Sequence, residues 1–364
     1  MYDRLPADVR SRHPYHMYDE IMLQPEAVKR SLALVSDSGD RVAAALGRAR
    51  RVFVTGCGTS FHAARAGAWF LRWFSGGKID AHAVGALDLV AYPSGLRPDD
   101  LVMAVTHSGG TVMTVRALEQ SARLGAETVA VTGVPDSAAG RAASQVIQTG
   151  YDDERSWAHT ASYTAALGTM AALANTVAQE EERLDLADLP ALLSDVLSLD
   201  EIAHRMAAGV ALVEPAVPVI LVGGGPNAGT AHEAALKLLE TCYVPALAFD
   251  LEEMLHGPLA AVSERSAVIL IAPAGRSTAR AADLDRALHR LGVTPVVLCG
   301  QENADSFSEA HRLVLPDVPE VLSPIAYVLP LQLFSYYLAV GKGHNPDLIH
   351  RDDERQRSAR GEFA

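Results

Sequence analysis

Short runs of Val, Ile and Leu that end in glycine or a small polar residue recur along the chain, four in each half. Segments with helical spacing, such as 61–74, 114–126 and 280–292, lie between these runs. Continuous apolar strands that alternate with amphipathic helices are typical of parallel sheets covered on both faces. Because the same order of elements occurs twice, we predict an α/β protein with two tandem domains, each a doubly wound parallel sheet flanked by helices. The runs are VFVTG (52–56), LVMAVTHS (101–108), TVAVTG (128–133), VIQTG (146–150), VILVGGG (219–225), AVILIAPAG (267–275), TPVVLCG (294–300) and LVLPD (313–317).

The same pattern sets the boundaries of the predicted segments. Residues 24–49 are predicted to form a leading helix, and residues 325–343 a final helix with an internal proline. From about 165 to 205 a helical pattern is interrupted by acidic residues, which favours a connector. The charged end of the chain is compatible with either an ordered lid or a frayed tail. We therefore expect an N-terminal helical segment at 1–49, a first sheet domain at 50–165, a helical connector at 166–205, a second sheet domain at 206–342 and a C-terminal tail at 343–364.

Composition and charge restrict the classes of function. The 364 residues suffice for two domains. We expect no membrane helix, which needs roughly 18–20 apolar residues, and the polar N-terminus has no signal-peptide core. Cys57, Cys242 and Cys299 are widely spaced, which fits reduced thiols and a cytoplasmic location. The net charge of −13 disfavours binding to nucleic acid or to anionic membranes, so an anionic ligand must be held by local donors.

Two hydroxyl-rich loops follow predicted strands of the first half, GCGTS (56–60) and THSGGT (106–111). Hydroxyls and backbone N–H groups at helix N-termini bind anions, and ligands of open parallel sheets sit beyond the carboxyl ends of the strands. Helix caps and tight turns use the same residue types, and for His107 the alternative is a polar surface position. Two such loops from neighbouring strands favour a phosphate. The candidate phosphate-binding residues are Gly58, Thr59, Ser60, Thr106, His107, Ser108 and Thr111.

A helix after the fifth apolar run carries candidate catalytic groups. Glu233, Lys237 and Glu240 are spaced i, i+4, i+7 and therefore share one helix face. The alternative is an exposed ladder of salt bridges. His256 follows shortly afterwards in LEEMLHGPL. A carboxylate, an ammonium and an imidazole near a phosphosugar suit proton transfer between adjacent carbons, so we predict these four residues as catalytic, without a metal or a cofactor.

A loose dinucleotide-binding pattern occupies the start of the same helix. Gly223, Gly225 and Ala228 satisfy G-x-G-x-x-A, and Asp250 lies about 20 residues further on. Pro226 removes a backbone donor from this turn, and short glycine runs are common after strands. A dinucleotide-dependent oxidoreductase is therefore kept only as a minor alternative.

These motifs together resemble the sugar isomerase (SIS) family and, within it, the isomerase half of the glutamine–fructose-6-phosphate aminotransferases. The resemblance runs from MYDEIMLQPEAVKRSL (17–32) through the two loops and EAALKLLETCYVPALAFDLEEMLHGPLA (233–260) to PIAYVLPLQLFSYYLAVGKGHNPD (324–347), about nine-tenths of the chain. It implies two SIS domains and a homodimer. It also implies that both loops bind the phosphate of a phosphosugar and that Glu240 moves the proton between C1 and C2, with Lys237 and Glu233 as companions. His256 would assist ring opening from the neighbouring subunit.

Three departures from the family pattern narrow the expected reaction. The chain contains no glutaminase domain with an N-terminal cysteine nucleophile, so we expect no glutamine amidohydrolase activity. The tail has no lysine, and Glu354 falls near the family's Schiff-base lysine. Ala161 replaces the lysine of the family's Thr-Lys loop, so we expect no imine between enzyme and sugar. Aldose–ketose isomerisation, deamination of an amino-sugar phosphate and deglycation of a fructosamine phosphate all stay open. The alternative from another class is a non-catalytic SIS protein that binds a phosphosugar and regulates a partner.

Overall fold

The computed structural model describes residues 8–362 except 93–94, 202, 205–206, 208–217 and 310. The predicted end of the connector at 205 and the predicted start of the second domain at 206 lie outside the described residues. The described strands form two sheets, one in each half of the chain. The strands are β1 Val52–Thr55, β2 Ala81–Ala83, β3 Leu101–Val105, β4 Glu127–Thr132, β5 Gln145–Gln148, β6 Val219–Gly223, β7 Ala246–Asp250, β8 Ala267–Ala272, β9 Val296–Gly300 and β10 Arg312–Leu315.

Both sheets have five parallel strands and the same topology. The first has the order β2-β1-β3-β4-β5, and the second has the equivalent order β7-β6-β8-β9-β10 when it is traced from its opposite edge. The order reverses between β1 and β3 and between β6 and β8, which is where doubly wound sheets bind ligands. The predicted fold class, two tandem doubly wound α/β domains, is confirmed.

The eight predicted strands are present, but the pattern of apolar runs missed the edge strands β2 and β7. β2 contains only three residues, and Ala81 alone among them is fully buried. In β7 most residues are partly exposed, and Leu247 keeps 47% of its surface accessible. An edge strand packs on fewer neighbours than a central strand, so a continuous apolar run is not required for its burial.

Helices cover both faces of each sheet. The predicted leading helix over 24–49 is two helices, because the chain turns at Gly39. The predicted final helix with an internal proline is present, with Pro330 inside it. The described α-helices of five residues or more are α1 His16–Met22, α2 Gln24–Ser38, α3 Asp40–Arg48, α4 Thr59–Phe74, α5 Ala86–Ala91, α6 Val112–Arg123, α7 Ala138–Ala142, α8 Ala161–Thr176, α9 Leu189–Leu197, α10 Asn227–Lys237, α11 Leu251–Leu255, α12 Thr278–Arg290, α13 Ser323–Gly341 and α14 Glu354–Gly361.

The helix α8 lies in the core of the first half rather than in a connector. It packs against α2 and α4, and most of its residues are buried. A Cβ at Gly67 of α4 would lie 2.7 Å from Met170 Cε, so glycine lets the two helices approach closely. The predicted boundary between 165 and 166 therefore falls inside a helix that belongs to the first domain by its contacts.

The helix α13 is long and strongly apolar. The stretch 320–341 is long and apolar enough to cross a membrane by length and composition, with a mean hydropathy of 1.3, although the sequence analysis expects no membrane helix. In this structure 94% of that stretch is buried, where it contacts α1, α8, α9 and α10. The stretch is a core helix, and its hydropathy reflects contact with protein on all sides.

Two contacts determine where the site lies. The first joins α4 and α10, the helices that follow the first strand of each sheet: a Cβ at Gly229 would lie 3.2 Å from the carbonyl oxygen of His62. The second ties the tail to the start of the chain, because the Asp347 carboxylate accepts hydrogen bonds from the backbone of His16 (3.0 Å) and Met17 (2.8 Å). The tail is therefore ordered against the first half rather than frayed.

Candidate functional site

A cavity of about 810 Å³ opens at the carboxyl ends of β1 and β3. Its walls come from the loops after these strands, from the segment 152–159, from Glu240 and from the folded tail. This is the switch point of the first sheet, where the sequence predicts the ligand. The lining residues are Asp8, Cys57, Gly58, Thr59, Ser60, His107, Ser108, Gly110, Thr111, Val134, Asp152, Glu154, Arg155, Ser156, Trp157, His159, Glu240, Ile349, Arg351 and Arg360.

Six of the seven predicted phosphate-binding residues line this cavity, all except Thr106. Thr106 is buried and lines a small pocket of about 10 Å³ that shares Thr59, Ser60, His107 and His159 with the large one. The structure therefore brings the two predicted loops together at one place. Their role in binding a phosphate stays a prediction.

The loop after β3 owes its shape to Gly109. This residue has φ +66°, and a side chain there would collide with Ser137 Oγ. Glycine tolerates this left-handed conformation without steric cost. The turn presents Ser108 and Thr111 to the cavity just before α6 begins at Val112. Hydroxyls and backbone N–H groups at this helix start form a region of positive potential that suits an anion.

Glu233, Lys237 and Glu240 form one buried ion cluster. Lys237 Nζ lies 2.6 Å from Glu240 Oε2 and 3.4 Å from Glu233 Oε1. Glu233 and Lys237 have no exposed side-chain surface, whereas Glu240 keeps 24%. The alternative of an exposed salt-bridge ladder is therefore wrong. The cluster reaches the first loop, because Thr59 Oγ1 donates to Glu233 Oε1 (3.2 Å) and His62 Nδ1 lies 2.8 Å from Glu233 Oε2.

The charges of this cluster shift one another's pKa values. Burial opposes the charge on Lys237, but the two carboxylates outweigh it and raise the pKa of Lys237. Burial would raise the pKa of Glu233, but Lys237 and His62 lower it below its usual range. For Glu240, burial prevails and raises the pKa, with Lys237 as a partial offset. Glu240 is thus the member of the cluster that both lines the cavity and holds a proton more readily than an ordinary carboxyl.

A π-helical turn places Glu240 at the cavity. The helix α10 continues past Lys237 as a π turn over Leu238–Cys242 and ends at Tyr243, which has φ +53°. On this turn the Glu240 carboxylate accepts a hydrogen bond from Lys237, and Glu240 lines the cavity. π turns inside α-helices are rare and frequent at functional sites. The spacing of the charged residues predicted their common face but not this turn.

His256 is not brought to the cavity within the protomer. It follows α11, keeps 68% of its side-chain surface exposed and places Nε2 2.8 Å from Glu252 Oε1. Glu252 is itself held by Arg280 at 2.7 Å. The expectation that His256 acts with Glu240 would therefore require a second subunit, and that arrangement stays a prediction.

Sequence reasoning missed a buried network beside the two hydroxyl-rich loops. Glu154 accepts hydrogen bonds from the backbone of Thr160 (2.6 Å), Ala161 (3.0 Å) and Ser162 (3.0 Å), which caps α8. The rings of His159 and His107 meet edge to face at 5.1 Å, and burial lowers the pKa of His159 to about 4. A carboxylate a few residues before a helix start was the available signal, but such residues are common in loops.

The tail supplies a further part of the lining that the sequence did not specify. Arg351 stacks its guanidinium 3.5 Å above the Trp157 ring, and Arg360 reaches the cavity from α14. The structure places Arg351 at the cavity, whereas Arg355 is exposed outside it, as is Glu354.

The equivalent crevice of the second half is occupied by the protein's own carboxylate. The backbone N–H of Arg276 donates to Glu320 Oε2 (3.0 Å), and a side chain at Gly275 would collide with the same carboxylate. Asp250, which the dinucleotide pattern assigns to a ribose, instead accepts a hydrogen bond from the Glu252 backbone (3.1 Å) at the start of α11. Nothing in the described part of this crevice favours a dinucleotide.

Known proteins resemble this chain in sequence and in fold. Residues 45–176 and 214–342 match the SIS domain family. The glutamine–fructose-6-phosphate aminotransferase [isomerizing] of Pyrococcus horikoshii is 32% identical over 343 residues, which cover 92% of this chain and 56% of that protein. The chain thus spans about half the length of the curated relatives it matches.

Two solved structures share the fold at low identity. The C-terminal domain of glucosamine-fructose-6-phosphate aminotransferase from Francisella tularensis superimposes with a TM-score of 0.84 at 24% identity, covering 92% of this chain and 98% of that one. Tagatose-6-phosphate ketose/aldose isomerase from Escherichia coli superimposes with a TM-score of 0.79 at 22% identity, covering 94% and 97%. At such low sequence identities these two structures show a shared fold only.

Proposed function

Because the chain belongs to the SIS domain family, we propose that it is a phosphosugar enzyme of the isomerase type. It would transfer a proton between C1 and C2 of an open-chain hexose or amino-sugar phosphate. The observation that carries this proposal is the position of Glu240. Its carboxylate lines the same cavity as the two hydroxyl-rich loops and is paired at 2.6 Å with the buried Lys237.

Glu240 acts in this mechanism as the base and then as the acid. Its raised pKa strengthens it as a base relative to an ordinary carboxylate, while Lys237 keeps a fraction of it ionised. It removes a proton from the carbon next to the carbonyl or imine and returns it to the neighbouring carbon. A well-placed acid–base group contributes about 10²–10⁴-fold to the rate. No imine to the enzyme is required.

The loops after β1 and β3 hold the phosphate and fix the reacting carbons within reach of Glu240. Ser60, Ser108 and Thr111 offer hydroxyls at the starts of α4 and α6, where the helix dipoles favour an anion. Such positioning contributes to catalysis by converting an encounter into an intramolecular step. Isomerisation, deamination and deglycation all use this machinery and differ in the substituent on C1 or C2.

The proton for ring opening is assigned to His256 of a neighbouring copy. Within the protomer His256 is exposed and does not line the cavity, so this role requires a homodimer that brings the two together. If His256 acts this way, mixing Glu240→Gln and His256→Gln subunits should restore part of the activity, since some dimers would carry one intact site.

Proton exchange tests the proposal directly. We expect the enzyme to incorporate deuterium from D₂O at C1 or C2 of fructose 6-phosphate or of glucosamine 6-phosphate. Glu240→Gln should lower that rate by about 10²–10⁴-fold. Glu253→Gln, which removes an exposed carboxylate outside the cavity, is the matched control and should react like the wild type.

Two results would contradict the proposal. Exchange that survives Glu240→Gln would assign the proton transfer to another group. Binding of phosphosugars without exchange across a panel of aldose, ketose and amino-sugar phosphates would favour a regulatory binding protein instead.

A further inference from the structure

The tail brings a cation to the end of the cavity where Glu240 lies. Arg360, on α14, lines the cavity and donates to the carbonyl oxygen of Ile349. The next residue, His350, stacks on Tyr243, which ends the π turn that carries Glu240. Under the proposed function Glu240 marks the C1–C2 end of the sugar, because the loops after β1 and β3 hold the phosphate. Arg360 therefore belongs to the end of the substrate that carries the carbonyl and its substituent.

Arg360 is held in place without being neutralised. Its Nη2 donates to the carbonyl oxygen of Ile349 (2.8 Å), and it makes no ion pair with any residue that the structure describes. Arg155 lines the same cavity but pairs with Asp8 at 3.1 Å. A guanidinium has several N–H donors, so the single bond to Ile349 leaves most of them available.

The surrounding contacts fix the position of this guanidinium. Asp353 Oδ1 accepts hydrogen bonds from the backbone of Arg355 (2.7 Å) and Gln356 (3.2 Å) and so starts α14. Arg357 donates to the carbonyl oxygen of Arg351 (2.8 Å), which folds the helix back onto the tail. The tail residues before α14 are thus held by side chains of the helix itself, and Arg360 is directed to the cavity as part of this arrangement.

The backbone beneath Arg360 is strained. Ile349 and His350 have φ values of +43° and +58°, in the left-handed region that disfavours side chains, and a β-branched residue most of all. His350 is stacked on the Tyr243 ring at 3.4 Å, just after the π turn that carries Glu240. Strain of this kind persists where the surrounding structure imposes it, and it clusters at ligand sites.

The cavity also has room for more than a hexose phosphate. Its volume of about 810 Å³ lies in the upper part of the range, roughly 300–1,000 Å³, of pockets that enclose drug-sized ligands. The chain has a net charge of −13, so the unpaired positive charge of Arg360 in this cavity contrasts with the charge of the protein as a whole. The fork of an arginine matches the two oxygens of a carboxylate.

We propose that Arg360 forms a second anion subsite, and that the substrate carries a carboxylate at C1 or on a group attached to C1 or C2. This inference rests on the proposed function for the orientation of the sugar. Two sources share this chemistry: the carboxylate of an amino acid bound through its nitrogen, and the carboxylate of a sugar acid.

Binding of unreactive ligands tests the subsite apart from catalysis. The first pair is 1-deoxyglucitol 6-phosphate linked through nitrogen to glycine or to glycinamide, and in both the sugar part is fully reduced and has no carbonyl. The second pair is gluconate 6-phosphate and glucitol 6-phosphate. In calorimetric titrations we expect the carboxylate member of one pair to bind about 10- to 100-fold more tightly, the range for hydrogen bonds to a charged group. The pair that shows the preference identifies the source of the carboxylate.

Variants of α14 complete the test. Arg360→Gln should reduce the preference to less than about threefold, and Arg360→Lys should retain part of it, since lysine keeps the charge without the fork. Arg355→Gln removes an exposed cation from the same helix and should leave the preference intact. Equal binding within both pairs, or a preference that survives Arg360→Gln, would overturn the inference. Because these ligands cannot react, this outcome is separate from a failure of deuterium exchange, which would count against the proposed function.

Discussion

Replacing Lys237 with methionine tests whether the ion cluster is the centre of the site. Lys237 has no exposed side-chain surface and stands between two carboxylates, with Nζ 2.6 Å from Glu240 Oε2 and 3.4 Å from Glu233 Oε1. Methionine keeps a similar unbranched apolar chain and removes the charge. The substitution therefore leaves two carboxylates without the cation that joins them.

The structure sets the size of the effect on stability. Removing one partner of a buried ion pair costs about 3–5 kcal/mol, because the other charge is left uncompensated. Glu233 retains His62 at 2.8 Å and Thr59 at 3.2 Å, so we expect a loss near the lower limit, about 3 kcal/mol. Adding Glu233→Gln removes the negative charge of Glu233, which Lys237→Met leaves without its cation. The double variant should therefore recover about 1–2 kcal/mol relative to Lys237→Met alone.

The substitutions at Lys237 and Glu233 should affect catalysis differently from stability. Lys237 lowers the pKa of Glu240 against the burial that raises it. Without Lys237 this pKa rises further, so less of Glu240 is ionised near neutral pH and the exchange rate falls. Lys237→Met should show the acid limb of the rate–pH profile displaced to higher pH. The displacement should be smaller in the double variant, because Glu233 also raises the pKa of Glu240.

Urea unfolding followed by circular dichroism measures the first effect, and deuterium incorporation into fructose 6-phosphate across a range of pH measures the second. A loss below about 1 kcal/mol, which is the upper end for exposed pairs, would show that the cluster is solvated. An unchanged rate–pH profile in Lys237→Met would show that Lys237 does not control the ionisation of Glu240. Either result refutes the reasoning.

Three further predictions concern the loop after β3 and the buried acid Glu20. Gly109→Ala should lower the free energy of unfolding in urea by about 1–3 kcal/mol, since φ is +66° and the methyl group would collide with Ser137. Gly47→Ala is the control, because a methyl group there meets open space and should not destabilise the protein. Equal effects of the two substitutions would contradict this reasoning. Ser108→Ala should raise KM for phosphosugars about tenfold with kcat nearly unchanged, and a fall in kcat alone would argue against phosphate binding. Burial raises the pKa of Glu20 to about 9 from 4.5, so the folded state keeps a proton that the unfolded state releases and the unfolding free energy falls as pH rises between these values. Glu20→Gln should flatten that fall in urea titrations, and an unaltered slope would exclude Glu20 as its source.

Much of the fold follows from short-range pattern in this chain. A strand buried on both faces needs a continuous apolar run, so the six central strands were predictable. The loops after β1 and β3 were identified by the glycines and hydroxyls that end these runs. Of the four edge strands, β5 and β10 were predicted from short apolar runs, whereas β2 and β7, which contain exposed residues, were missed. The helical spacing of Glu233, Lys237 and Glu240 placed them on one face, because that spacing is a property of a single helix.

The sequence by itself determined the two α/β halves, the positions of the hydroxyl loops and the shared face of the charged helix residues, since each depends on neighbours within a few residues along the chain. Tertiary structure decided the rest. Only the packing of α4 on α10 shows that the charged face is buried against Thr59 and His62. Only the folding of the tail shows that Arg360, and not Glu354, reaches the cavity. These groups meet through contacts between segments more than a hundred residues apart, for which local periodicity carries no signal.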